Sequence, residues 1–190
     1  MKFNIDRDDY LIDKYCSHNN LYKYNTSFFY GEVDMNDLYQ IINEHIVSSD
    51  NELDDNNIYL HNLHFLDIGS GCGKIIYHIN KKTNMNCTGI EIIEHRYLKS
   101  KELINEDNYN VEFIHDNFKN IYLGNYDIIY CCNIIFSDED NDLLYLKLNK
   151  EFTGYALLFT YNNKIHDKLI STHQVNTSWQ KNVFIYLFYF

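Results

Sequence analysis

An α/β fold built on a mostly parallel sheet is what this sequence predicts, on three observations. From Leu63 onward, apolar strand-like runs alternate with helix-like stretches, the rhythm of successive βα units. Phe65-Leu66-Asp67-Ile68 opens into Gly69-Ser70-Gly71-Cys72-Gly73-Lys74 and then into Ile75, Ile76, Tyr77 and Ile79, which reads as strand, tight turn and helix. Asn86-Cys87-Thr88-Gly89-Ile90-Glu91 then ends a second apolar run on an acid, about 20 positions after the glycines, where a nucleotide-binding sheet carries one.

Taken in order, residues 6–24 hold Tyr10, Leu11, Ile12, Tyr15, Leu21 and Tyr22 at loose helical spacing, which predicts one or two short helices. Asn25 to Glu32 reads as loop or extended chain. Asp34 is placed to cap the next helix, Asp37 suits its first turn, and Leu38, Ile41, Ile42, His45 and Ile46 form one apolar stripe. The polar run Ser48 to Asn57 separates an N-terminal helical segment, residues 1–57, from the core, residues 58–190. The two are expected to form one structural unit.

Within the core, Glu94 to Asn105 predicts a helix with Tyr97, Leu98 and Ile104 toward the sheet. Val111 to Ile114 is a third strand, and the strongly apolar Tyr126 to Cys132 a central fourth. Ser137 with Asp140 marks the start of a helix running through Leu143, Leu144 and Leu148. Gly154 to Thr160 is a fifth strand, and Tyr161 to Thr172 leaves room for a short helix. Gln174 to Trp179, a turn at Gln180-Lys181-Asn182, and Val183 to Phe190 read as a closing β-hairpin.

Composition narrows the class. At 190 residues the chain has the size of one domain. Its 27 acidic and 16 basic residues give a net charge of −11, a field that repels polyanions. No run of about 20 apolar residues offers to span a bilayer, and the first residues lack the form of a signal peptide. The five cysteines (16, 72, 87, 131 and 132) are odd in number and make no CxxC pair, which favours a reduced, intracellular compartment, cytoplasm or nucleus. His61 and His64 stand at HxxH spacing without further ligand-type residues at ligand spacing, so no metal is expected.

The glycine loop selects its ligand by elimination. A phosphate-cradling GxxxxGK[ST] loop needs one more residue between Gly69 and Gly73 and a hydroxyl where Ile75 stands. GxGxxG fails because Lys74 occupies the third glycine position. The remaining D-x-G-x-G-x-G is similar to the first motif of S-adenosylmethionine (SAM) dependent methyltransferases. Asp67 suits that ligand, since SAM carries an ammonium and a sulfonium that a carboxylate favours. Glu91 is placed to accept both ribose hydroxyls. Asp116, after the third strand, is a candidate for the adenine amine, with Phe118 flanking the ring.

Further residues narrow the resemblance. Tyr30-Gly31-Glu32 before an amphipathic helix, Asp67 to Gly73, Asn133-Ile134-Ile135-Phe136 after the fourth strand, and Ser178-Trp179 before the last strand resemble the Dot (disruptor of telomeric silencing) histone-lysine methyltransferases over about residues 26–190. That resemblance implies a Rossmann-like, seven-stranded class I methyltransferase sheet with a terminal antiparallel hairpin. It implies Tyr30 and Glu32 as lid residues over the methionine end of SAM, and Asn133 and Phe136 at the methyl-transfer end, with Trp179 and Tyr186 walling a channel. Gly69, Gly71 and Gly73 then belong to the cofactor site. Val33 and Cys132 stand where that family usually has a hydroxyl or small residue and an Asn, and its basic DNA-gripping segment is missing.

The expected activity is therefore SAM-dependent methylation of lysine in a basic protein by a monomer, a histone being the substrate that the resemblance implies. In that scheme Asn133 accepts a hydrogen bond from the amine through its side-chain oxygen. Two other readings stay open. The acceptor can be an adenine or a glutamine amide, although the charge disfavours nucleic acid; or the chain is a SAM-binding module without turnover.

Overall fold

The computed structural model describes residues 33–47, 60–102, 110–161 and 163–190. The helices expected at 6–24, and Tyr30 and Glu32, lie outside the described residues.

Among the described residues, seven strands form one sheet: β1 His64–Ile68, β2 Asn86–Glu91, β3 Val111–His115, β4 Ile128–Cys131, β5 Tyr155–Leu158, β6 Leu169–Val175 and β7 Val183–Tyr189. Their order is β3-β2-β1-β4-β5-β7-β6. The first five run parallel, while β7 pairs antiparallel with both β5 and β6. This is the α/β sheet with terminal antiparallel hairpin that the sequence predicts. The strand order reverses between β1 and β4, and the register sets Ile68 beside Ile90 and Cys131, Glu91 beside His115, and Cys131 beside Leu158. The carboxyl ends of the parallel strands are therefore level at a topological switch point, where open α/β sheets form their ligand crevice.

Both faces are covered. Helix α1, Met35–Ile42, is capped by Asp34, whose side chain accepts the Asn36 amide. It buries Leu38, Ile41 and Ile42, each contributing roughly 1.5–3 kcal/mol by leaving water. They pack with Ile75, Ile76 and Ile79 of α2, Lys74–Thr83, over Phe65, Tyr130 and Leu157. The helix widens into a π-helical turn over Asn43–Val47, where the His45 ring meets His173 of β6 edge-on at 4.9 Å. On the opposite face, α4, Asp138–Glu151, is capped by Ser137 and lays Leu144, Tyr145 and Leu148 against Leu66, Ile129 and Leu158.

Helix α3 departs from expectation. It covers Glu94–Lys101 and turns Arg96 and Ser100 inward, while Leu98 is exposed and Tyr97 half-buried; Ile104 lies outside the described residues. Close approach decides the face. A Cβ on Gly73 would stand 3.0 Å from Ser100 Cβ, so a small residue must point there, and Arg96, one turn earlier, shares its side.

The hairpin also differs. The short helix expected between Tyr161 and Thr172 is present as a 3-10 turn over Asn163–Lys168, but the first hairpin strand already begins at Leu169 and ends at Val175 rather than Trp179. After a register shift that follows Leu169, its inward positions are Ser171, His173 and Val175, so most of that face is polar and the apolar alternation that marks a strand is absent. Beyond it, Thr177 bridges Val33 in antiparallel sense, and Asn176 donates to Asp37, tying α1 to the hairpin.

Candidate functional site

The glycine loop follows directly from β1. Gly69, Gly71 and Gly73 all have left-handed φ, at 81°, 56° and 83°, which costs a residue with a Cβ roughly 1–2 kcal/mol. The loop's amides turn inward. Gly69 N and Ser70 N both donate to Ile90 O at 2.9 Å, Gly73 N donates to Ser70 O at 2.9 Å, and Gly71 N donates to the Glu91 carboxylate at 2.8 Å. These amides are spent within the protein, so the loop offers no nest of N–H groups like those that hold a pyrophosphate.

Space distinguishes the glycines. A Cβ on Gly73 would come within 2.4 Å of Phe113 Cζ, and one on Gly89 of β2 within 2.7 Å of both Phe113 and Ser70 Oγ. These two positions are closed by packing. A Cβ on Gly69 would meet nothing within 4 Å, so the main chain there stays open to an approaching ligand.

Two carboxylates flank that opening. Asp67 is buried between Gly89 and Tyr130 in register. Burial first, and the Asp67 charge after it, push the Cys132 thiol up to about 12. Glu91 is only 4% exposed, and it accepts from Gly71 N through Oε2 and from Ile93 N through Oε1, both at 2.8 Å. Burial raises its pKa, while the Arg96 charge and the amides of Ile93, Gly71 and Ile92 act against that rise.

At the end of β3, Asp116 is half-buried and its Oδ1 accepts from Asn117 N at 2.6 Å and from Asn120 Nδ2 at 2.7 Å. The Asn120 bond, then the Asn117 bond, hold its carboxyl below the usual range. Phe118 is buried and stacks on Phe136, with ring centroids 5.6 Å apart and planes at 22°. The residue assigned to the adenine side and the one assigned to the methyl-transfer end therefore share one contact.

The Asn133 side chain is differently employed than the sequence suggests. It is fully buried, and Oδ1 accepts the amides of Phe159 and Thr160 at 2.9 and 3.0 Å. Nδ2 donates to Asn141 Oδ1 and Thr160 Oγ1, each at 2.7 Å, and Tyr145 OH lies 3.1 Å from Thr160 Oγ1. The oxygen expected to meet a substrate amine instead ties β4 to the end of β5. Of the three rings expected to wall a channel, Phe136 and Tyr186 pack on the α4 face, where Tyr186 meets Tyr161 at 4.6 Å. Trp179, 42% exposed, lies against Phe159, whose side chain belongs to the opposite face. Trp179 sits in the connection between β6 and β7, and the three rings do not line a single wall.

Two features escaped the sequence reading. The Asn141, Tyr145 and Thr160 network depends on a long-range meeting of α4 with β5 that no local pattern encodes. Arg96 did leave a signal: it is one of two arginines in a chain of many lysines, and it stands in the first turn of a helix, where a positive charge opposes the macrodipole.

The same architecture occurs in known proteins. An RNA methyltransferase from Salinibacter ruber, in complex with S-adenosyl-L-homocysteine, shares the fold at a TM-score of 0.53 and 16% identity, over 67% of this chain and 80% of that one. A mycolic acid cyclopropane synthase aligns at a TM-score of 0.46 and 18% identity over 51% of this chain. The match spans only 38% of that synthase's own length. PKMT2 from Rickettsia typhi, in complex with AdoHcy, aligns at 0.46 and 23% identity, over 52% of this chain and 21% of that one. No curated protein matches the sequence. A family model described as a methyltransferase domain matches residues 60–184, well over half of the chain. With that match, a seven-stranded sheet of this order and a loop open at Gly69 between two buried acids, the chain belongs to the methyltransferase-domain family, in its class I, SAM-dependent form.

Proposed function

We propose that this chain transfers a methyl group from SAM to the side-chain nitrogen of lysine in a basic protein, a histone being the acceptor that the Tyr30, Asp67, Asn133 and Trp179 motifs favour. One observation carries the cofactor half: loop amides turned inward beside an open Gly69, with Asp67 and Glu91 buried on either side. That arrangement suits a ligand bearing positive charge and a diol, and opposes a pyrophosphate. Asp67 would attract the ammonium and sulfonium end, and Glu91 has lone pairs left for ribose hydroxyls. Asp116 and Phe118 would border the adenine, and Tyr30 and Glu32 would cover the methionine end. SAM supplies the activated methyl group.

The acceptor half rests on charge and rings. An amine reacts in its neutral form, whereas free lysine titrates near about 10.4. The rings of Phe136, Tyr161 and Tyr186 on the α4 face give an apolar surround that lowers that value without a dedicated base. Trp179, across the sheet, would meet the substrate's flank rather than its amine. The net charge of −11 draws in basic chains and repels nucleic acid.

Incubation with methyl-labelled SAM, offering free histones, nucleosomes, glutamine-containing peptides and RNA in parallel, tests the proposal. Label in lysine of free histones, above that in nucleosomes, is expected. Label in RNA or in glutamine would replace lysine with another nitrogen. Binding of SAM without transfer to any of them would leave a cofactor-binding module.

A further inference from the structure

Two segments that the strand order keeps apart meet beside the crevice. β3 and β4 are separated by β2 and β1, so their carboxyl ends stand roughly 14 Å apart at about 4.8 Å between neighbouring strands. Yet Phe118, in the turn after β3, stacks on Phe136, in the loop after β4, with centroids 5.6 Å apart and planes at 22°. That spacing falls in the range aromatic pairs favour. Both rings belong to the α4 face with Ile68 and Ile90, at the ends of β1 and β2, whereas Gly73 of the glycine loop closes on Phe113 of the other face. The pair therefore bridges the strand ends that lead to Gly69 and carry Glu91, on the side opposite the loop.

Each side of the bridge holds its ring. After β3, Asp116 Oδ1 accepts from Asn117 N and Asn120 Nδ2, and Asn117 Oδ1 accepts from Lys119 N at 3.1 Å, which fixes the turn Phe118–Asn120. After β4, Phe136 N donates to Asn133 O at 3.2 Å and Phe136 O accepts from Asn141 Nδ2 at 3.3 Å, tying the ring's backbone to its own loop and to α4. A second link runs beside the stack. Lys119 Nζ pairs with Asp140 Oδ1 in the first turn of α4, where the Asp140 amide donates to the capping Ser137 hydroxyl. With side chains 43% and 22% exposed, this ion pair adds little to stability; what it fixes is the start of α4 relative to the turn.

We propose that Phe118 and Lys119 are positioning residues for the methyl acceptor: they hold the 133–136 loop and the start of α4 against the turn that borders the adenine, so that a bound cofactor sets the acceptor end of the site. This inference rests on the assignments of Phe118 to the adenine and Phe136 to the transfer end. A ligand packed on Phe118 restricts Phe136 through the contact they share. By linkage, cofactor and acceptor then favour each other's binding. Neither Phe118 nor Lys119 has to touch the acceptor.

Hydrogen exchange of the full chain, read by mass spectrometry with and without S-adenosylhomocysteine at concentrations that calorimetry shows to be saturating, separates this role from packing. In the unmodified chain the ligand should slow exchange across 133–141 by at least about fivefold, the lower end of coupling between two sites. Phe118→Leu keeps an apolar side chain but removes the ring, and under saturation it should lose that protection. Three results would overturn the inference: no protection of 133–141 in the unmodified chain, protection in Phe118→Leu equal to that of the unmodified chain, or exchange in the variant that is faster by the same factor with and without ligand, which is the mark of packing alone. Failure of the unmodified chain to bind S-adenosylhomocysteine would instead overturn the cofactor assignment.

Should Phe118→Leu fold poorly, Lys119→Met carries the test, because it spares the buried ring. It should reduce the ligand-dependent protection of 133–141 by about twofold, in keeping with an exposed ion pair. Full protection in that variant would overturn the inference.

Discussion

Single glycines in one loop do different things, and their surroundings say which. Gly69→Ala adds a methyl group into open space, so the only structural cost is left-handed backbone, roughly 1–2 kcal/mol. The same methyl blocks the approach to the main chain, so the variant should fold, with a nearly unchanged circular dichroism spectrum, yet bind S-adenosylhomocysteine at least tenfold more weakly. Gly73→Ala adds to the same backbone cost a methyl group 2.4 Å from Phe113 Cζ, an overpacking cost of about 1–3 kcal/mol. Urea melts should show Gly73→Ala to be the less stable of the two. A Gly69→Ala chain that binds normally would remove the open face of that residue from the cofactor site.

Between elements, Asn133 is the fastening. It stands two residues after the β4 end at Cys131, and its one side chain meets two amides at the end of β5 together with groups on α4 and Thr160. Asn133→Ala strands the Phe159 and Thr160 amides, at about 1–3 kcal/mol for each donor left without a partner. A drop of about 2–5 kcal/mol in unfolding free energy, read from urea melts, is therefore expected. Affinity for S-adenosylhomocysteine should change little, since Asp67, Gly69 and Glu91 are held by β1 and β2. Loss of turnover in this variant would arise through displacement of the loop that carries Phe136, and a stability equal to that of the unmodified chain would remove Asn133 from its fastening role.

Over the whole molecule, the charge of −11 acts at a distance. If it gathers a basic substrate, the KM for free histone should rise several-fold with added salt while kcat stays level, because the screening length falls from about 10 Å at 0.1 M salt to about 3 Å at 1 M. Initial rates across a salt series measure this, and a flat KM would show that contact at the site, rather than the field, selects the substrate. Among the described residues no helix is long and apolar enough to cross a membrane, and the described surface carries instead scattered exposed rings such as Tyr122, Trp179 and Phe184.

Sequence alone determined the sheet and its ligand loop, because those features are written locally. β-prone runs between turns mark the five parallel strands, and left-handed turns demand glycine at Gly69, Gly71 and Gly73. Acids at strand ends are visible as Asp67 and Glu91, and the caps Asp34 and Ser137 announce their helices. Tertiary structure decided the rest. Which side of α3 faces inward followed from the approach of Ser100 to Gly73, a contact between elements that burial of Leu98 would have prevented. The start of β6 was hidden because its inward residues include Ser171 and His173, held by a hydrogen bond to each other at 2.8 Å rather than by apolar packing. Asn133 looked like a free acceptor until β5 placed two amides against it, and Trp179 looked like a neighbour of Tyr186 until the β6–β7 connection set it against Phe159 on the opposite face. Position along the chain specifies which groups exist; only packing specifies which lone pairs are already in use.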